Sequence, residues 1–360
     1  MAQELSVTEL PPVTLFERPV RRFELASPNL RVELMEYGAT VLSVKLRTAD
    51  SNWATLTRGL AEPEHYVNNP AYMGSVCGRY AGRINGASYS GPTGRVQLSK
   101  NHGDHQLHGG ERGFNARFWR AEVFEGGDRT GVNFYYTSQD GEEGYPGTLD
   151  TCVRYSLDGH MRLCIDYSAT AVDKATPVNL TNHCYWNLGD NPLVLSHELK
   201  LAARSVLELD ANLLPTGASL DVKNTALDFS SVRTLSDAIG ALPPGVDGLD
   251  HCLHDFSDEL GAPGELDHLP MVAEVREPTS GRTMSVYTDQ PLLVLYTGNA
   301  LDGSAGHGGV PQHGGFCIEC QQFPDAPNQP AFPSPFVGQG ETYTQTSVYA
   351  FATICSQSSR

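Results

Sequence analysis

The side chains best suited to chemistry lie in short segments that mix apolar and polar residues. Glu319 sits in GFCIECQQFPD, between Ile318 and Cys320. Read as a strand, this segment turns Cys317 and Glu319 to one face and Ile318 and Cys320 to the other, because strand side chains alternate. Burying a charge is costly, so a carboxylate among apolar neighbours needs partners or a function. It is a functional carboxylate, a structural ion pair or a residue at an open strand edge. His183 lies in VNLTNHCYWNLG (178–189), with Asn179, Thr181, Asn182 and Asn187 around it and Tyr185 and Trp186 beside it. Imidazole titrates near neutral pH and suits proton shuttling, and amides beside flat rings suit a sugar. The plainer alternative is an interior His held by hydrogen bonds.

Other groups are more ambiguous. His102, His105 and His108 in NHGDHQLHGG have the spacing of metal ligands. That spacing converges on a helix, however, and this segment runs into Gly109 and Gly110 with no helical pattern, which disfavours zinc. Arg79 and Arg83 in CGRYAGRINGA would share one face of a strand, and a guanidinium can bridge vicinal hydroxyls. They could equally be ion-paired. Asp250 in DGLDHCLHDF is either a diol acceptor or a turn cap. The lone C-x-x-C of Cys317 and Cys320 has neither a second pair nor a strand-to-helix context, so core thiols are expected. The eight cysteines are scattered along the chain, the pattern of buried free thiols in a reducing compartment.

The elements that must position these groups are strands. RVELMEY (31–37), ATVLSVKL (39–46), GVNFYYTS (131–138), MRLCIDYSAT (161–170), MSVYT (284–288), PLLVLYTG (291–298), GFCIEC (315–320) and TYTQTSVYAF (342–351) are short, β-branched or aromatic, and bounded by breakers. With 36 Gly and 23 Pro in 360 residues, long helices have little room. SVRTLSDAIGAL (231–242) is a short helix stopped by Pro243-Pro244-Gly245. No strand–helix alternation runs along the chain, so one large antiparallel all-β structure is expected, with few short helices. Residues 303–315 read as a flexible Gly loop. Residues 322–340 read as an extended, Pro-rich surface segment.

There are 42 acidic and 25 basic residues, a formal charge of −17, with no Lys/Arg cluster. This argues against nucleic acid and anionic sugars and for a neutral substrate. The N-terminus lacks the pattern of a secretory signal, and no apolar run reaches the roughly 20 residues that a span needs. A cytoplasmic protein without a membrane partner is expected.

Taken together, the motifs resemble the aldose 1-epimerase (mutarotase) family. The matching stretches are YGATVLSVKL, CGRYAGRI, QLHGGERGFNARFW, DGEEGYPG, TPVNLTNHCYWNLG, DGLDHCL, YTDQPLLVLYTGN and CIECQQFPDAPNQPAFP, in order over nearly the whole chain. The resemblance implies a single β-sandwich over 21–355 with an open cleft, no metal and no organic cofactor. It implies interconversion of the α and β anomers of free hexoses such as galactose and glucose. Glu319 matches the general base, His183 the general acid, and Arg83, His108, Asp250 and Gln290 the substrate-binding positions. One departure is Gly82, where the family often has Asn, a difference that bears on sugar preference. The partner is then a monosaccharide, and the chain a monomer or homodimer. The extension 1–20 and the tail 356–360 are expected to be poorly ordered. Three rivals remain: an enzyme of hexose 6-phosphates, which needs extra Lys/Arg in the cleft; a non-catalytic sugar sensor; and a zinc hydrolase built on His102, His105 and His108.

Overall fold

The β-branched and aromatic runs form strands where their spacing predicts them. In a computed structural model, which describes residues 5–92, 94–257, 260, 266 and 269–354, they become Leu30–Met35, Thr40–Arg47, Arg129–Ser138, Arg162–Ala171, Arg282–Thr288, Leu292–Tyr296, Cys317–Gln321 and Thr342–Thr353. The larger sheets are antiparallel throughout. A nine-stranded sheet runs from Arg120–Gly126 at one edge to Arg233–Thr234 at the other. One five-stranded sheet holds the chain from Ser6–Leu15 to Trp53–Thr55. The other is ordered Pro215–Asp221, Ala203–Leu209, Asp250–Phe256, Leu292–Tyr296, Cys317–Gln321. Among the described residues one α-helix occurs, Leu235–Gly240, inside the expected 231–242. The Thr234 hydroxyl caps it by accepting from the Asp237 N–H at 3.0 Å.

The nine-stranded sheet packs on both smaller sheets, giving the layered all-β architecture that the sequence implies. One apolar cluster draws Phe23 and Val32 from the first sheet, Phe134, Tyr155 and Tyr349 from the largest, and Leu293, Leu295 and Ile318 from the third. Polar tips are satisfied across the layers. Tyr155 Oη donates to the Ala39 carbonyl at 2.8 Å, and Tyr349 Oη to the Ile318 carbonyl at 3.2 Å.

Three expectations need correction. Residues 5–20 of the N-terminal extension are structured: Ser6–Leu15 pairs with Arg18–Ala26, and Val13 and Leu15 are buried. Two apolar anchors in a stretch of acids and prolines left little periodicity to read. The Pro-rich segment is only partly at the surface, because Phe323 and Ala326 join a core cluster with Tyr80, Leu292 and Val294. The Gly loop contains a 3₁₀ turn, Ala305–His307, and its Val310 packs with Leu60 and Leu301. Cys355, residues 1–4 and the tail 356–360 lie outside the described residues.

Truncating Leu15 tests the first correction. Leu15→Ala should lower the unfolding free energy by about 3 kcal/mol, as other buried leucines do. Urea unfolding would show no change if the extension did not pack.

Candidate active site

The strand Cys317–Gln321 is buried on both faces. Ile318 and Cys320 join the main core, and Cys317 and Glu319 point the other way. Cross-strand register extends that second face: Glu319 lies opposite Val294, and Val294 opposite Cys252. One pleat along, Cys317 lies opposite Tyr296, and Tyr296 opposite Asp250. This face floors an open cleft of about 860 Å³.

Loops close the cleft from above. Thr181–Asn182 pairs with Val76–Cys77, and Tyr185–Trp186 with Thr57–Arg58. Between these short ladders the chain alternates. His183 and Tyr185 line the cleft, while Cys184 and Trp186 enter the main core, Trp186 against Tyr349 and Phe351. Of these two aromatics Tyr185 therefore faces the cleft, and Trp186 is structural.

The site's centre is an adjacent acid and base. His183 Nε2 lies 3.6 Å from Glu319 Oε1, and both side chains are almost wholly out of water. Glu319 Oε2 has no partner in the protein. Burial, reinforced by Asp250 and opposed by Arg83, pushes the Glu319 carboxyl up to about 8. Burial drags His183 down to about 4, against a hydrogen bond to its own main chain. Between those values the pair holds one proton.

The remaining groups ring this pair. The His108 ring centroid is 5.4 Å from that of His183, and Tyr72 stacks near both. Residues 82 and 108 bond reciprocally: the His108 N–H donates to the Gly82 carbonyl at 3.0 Å, and the Gly82 N–H donates to His108 Nδ1 at 3.3 Å. The second bond leaves the ring proton on Nε2. Burial holds His108 neutral, well below the usual imidazole range. Gly82 has φ +76°, and a Cβ there would sit 2.9 Å from Pro324 Cβ, so this backbone admits only glycine without strain. Arg83 Nη2 faces Asp250 Oδ2 at 3.8 Å, and burial raises Asp250 against that pairing.

The structure thus gathers Glu319, His183, Arg83, His108 and Asp250 around one cleft. Gln290 is not with them. Its amide is spent on Asp289 Oδ1 at 2.8 Å and Gln322 Nε2 at 3.0 Å, and the neighbouring strand presents Val294 to the cleft instead. Arg79 and Arg83 do not share a face, because the chain between them turns rather than continuing a strand. Arg79 is fully buried and donates to the carbonyls of Ser138, Gln139, Pro146 and Gly147. The three-His reading also fails locally. His102 lines the cleft, but His105 turns back on it and accepts from the Gly86 N–H at 3.1 Å.

Among the described residues, the His/Cys/Asp/Glu set close enough to share a metal ion is His108, His183 and Glu319, with ligand atoms within 4.8 Å of one another. Ligation through His108 Nε2 would first require the Gly82 bond to His108 Nδ1 to break. Sequence reasoning missed Tyr72, Tyr296 and Gln321 as cleft residues. Strand parity could have found Tyr296 and Gln321, whereas Tyr72 sits in irregular chain with no such signal.

The two arginines should separate in experiment. Arg79→Met should lower the unfolding free energy by about 3 kcal/mol, since it orphans several buried carbonyls. Arg83→Ala should change it by about 1 kcal/mol or less. Equal losses in urea melts would contradict the division.

Comparison with known proteins agrees with the fold. The aldose 1-epimerase family profile matches residues 21–350. Bovine galactose mutarotase is 36% identical over 340 residues, 92% of this chain and 94% of that protein. Aldose 1-epimerase of Escherichia coli K12 is 35% identical over 353 residues, 96% of this chain and 99% of that protein. The crystal structure of galactose 1-epimerase from Lactobacillus acidophilus superposes with a TM-score of 0.84 at 25% identity, covering 97% of this chain and 99% of that one. An aldose epimerase homologue from C. elegans gives 0.80 at 25% identity, covering 98% and 100%. The chain belongs to the aldose 1-epimerase family, the enzymes that interconvert sugar anomers.

Proposed function

We propose that the protein interconverts the α and β anomers of free galactose or glucose, with Glu319 as general base and His183 as general acid. The observation that carries this reading is their adjacency in the cleft, with His183 Nε2 3.6 Å from Glu319 Oε1 and Glu319 Oε2 left without a protein partner. Two groups so close can reach two oxygens bonded to one carbon. Glu319, ionised, takes the C1 hydroxyl proton while protonated His183 gives one to the ring oxygen. The C1–O5 bond breaks and leaves an aldehyde. Rotation about C1–C2 presents its other face. On closure His183 recovers its proton from the C5 hydroxyl, and Glu319 returns one to the new C1 hydroxyl. Each transfer contributes on the order of 10² to 10⁴ in rate.

Arg83, His108 and Asp250 hold the other hydroxyls in this reading, with Nε2–H of His108 as a neutral donor. Gln290 is withdrawn from that set. A neutral hexose suits the cleft better than a hexose phosphate. Among the described lining residues Arg83 is the single Lys or Arg, and Asp250 faces it. The seven described cysteines are all free and six are buried, which supports a reducing, cytoplasmic setting. No helix among the described residues is long and apolar enough to cross a membrane. The active unit is proposed to be a monomer or homodimer.

Polarimetry of freshly dissolved α-D-galactose and α-D-glucose tests the assignment. Wild type should accelerate the rotation change, and Glu319→Gln should keep the fold and lose at least about 100-fold in rate. A variant with near-normal turnover would remove Glu319 as the base.

The pH profile follows from the proton count. Below about 4 a second proton reaches the pair and no base remains; above about 8 the last proton leaves and no acid remains. The expected kcat/KM is level between these limits and falls on either side. A profile that kept rising through pH 9 would mean that the pair does not share one proton.

A further inference from the structure

His183 is gripped from both sides by one strand. Cys317 and Glu319 are two residues apart on Cys317–Gln321 and so point the same way. Cys317 Sγ lies 3.5 Å from His183 Nδ1, and Glu319 Oε1 lies 3.6 Å from Nε2. The repeat of the strand thus spans the imidazole, with one strand group facing each ring nitrogen. We propose that Cys317 is a positioning residue, whose thiol donates to His183 Nδ1 and so fixes the ring's orientation and keeps its exchangeable proton on Nε2, toward the cleft. The inference rests on the reading of His183 as the acid.

Several observations support a donor role. Cys317 is fully buried, and burial holds its thiol well above the usual range, so the sulfur keeps its proton. A thiol is a weak donor but also a weak acceptor. When His183 gains a proton on Nδ1, the same sulfur can accept, and the contact survives both protonation states. A carboxylate in that place would trap the imidazolium and remove its acidity. The other titratable groups around the ring are Glu319, His108, Tyr72, Tyr185 and Tyr296. Burial keeps His108 uncharged and raises all three tyrosines, so they stay neutral across the working range. The competing partner for Nδ1 is the main chain of His183 itself.

Ring ¹⁵N shifts of His183 in the wild-type protein give the first test. The expected pattern is a protonated Nε2 and an unprotonated Nδ1; a proton on Nδ1, donated to the His183 main chain, would overturn the proposal. Kinetics of Cys317→Ala and Cys317→Ser give the second. Loss of the donor should lower kcat about tenfold, the weight of one modest hydrogen bond, with KM within about twofold. The acid limb of the pH profile should move upward in the alanine variant, because an S–H donor favours the unprotonated ring. Serine should restore most of both. Wild-type kcat and an unmoved acid limb in Cys317→Ala would refute the positioning role, as would serine behaving like alanine. These outcomes are read on an active wild-type background. They are therefore distinct from failure of the reading of His183 as the acid, which a turnover-competent His183→Ala would show.

Discussion

A strand buried along its whole length, though one of its faces floors the cleft, is the constraint from which the rest follows. Cys317–Gln321 is an edge strand in hydrogen bonding, yet all five of its residues are buried. Its core face carries Ile318 and Cys320, which lock it to the nine-stranded sheet; Gln345 Nε2 donates to the Cys320 carbonyl at 2.9 Å from that side. Its other face holds Glu319 in a place that water reaches poorly. A carboxylate there loses hydration with no strong ion pair in return, so it binds its proton far more tightly than usual. The same dryness makes the neighbouring imidazole reluctant to take one. Packing on one face of a strand thereby sets the proton chemistry on the other.

The sheet alone does not complete the cleft. Glu319, Val294, Cys252, Tyr296 and Asp250 form a floor in regular register, but His183, His108 and Arg83 arrive from two-residue ladders and turns. These short connections have few bonds of their own and rely on fixed anchors. Arg79 supplies one, tying its own segment to the carbonyls around 138–147. Asn179 supplies another by donating to the carbonyls of Ala81 and Gln322, so the segments that carry Arg83, His183 and Glu319 are braced against one another. His108 adopts φ +51°, a conformation that its reciprocal bonding with Gly82 makes tolerable.

Much of this was legible in the sequence because strands advertise themselves through alternation. The parity of 317–320 placed Glu319 and the two thiols on their correct faces, and breaker-bounded runs located the strands within a few residues. The errors occur where period two does not apply. Arg79 and Arg83 looked equivalent on an assumed strand, but positive φ at Gly82 breaks it, and one guanidinium enters the interior while the other enters the cleft. Gln290 precedes Pro291 at a strand entrance, where its amide is consumed by neighbours, a matter of tertiary contact that spacing cannot encode. The Ser6–Leu15 strand was hidden for a similar reason. Its pairing with Arg18–Ala26 is main-chain bonding, which side-chain composition records only weakly.

The proposed proton traffic also accounts for how little positive charge lines the cleft. Ring opening moves one proton from the C1 hydroxyl to Glu319 and another from His183 to the ring oxygen. The pair begins as carboxylate and imidazolium and ends as carboxyl and imidazole, so its net charge never changes. The neutral arrangement is the one that burial favours, so opening runs toward the preferred state of the protein and closure runs away from it. Hydrogen bonds from the cyclic sugar must offset that bias for both directions to proceed, and the unpartnered Glu319 Oε2 is free to accept them. A cleft that works this way needs donors aimed at hydroxyls rather than a surplus cation. The pairing of Arg83 with Asp250 and the fixed neutrality of His108 meet that requirement in a chain of net charge −17.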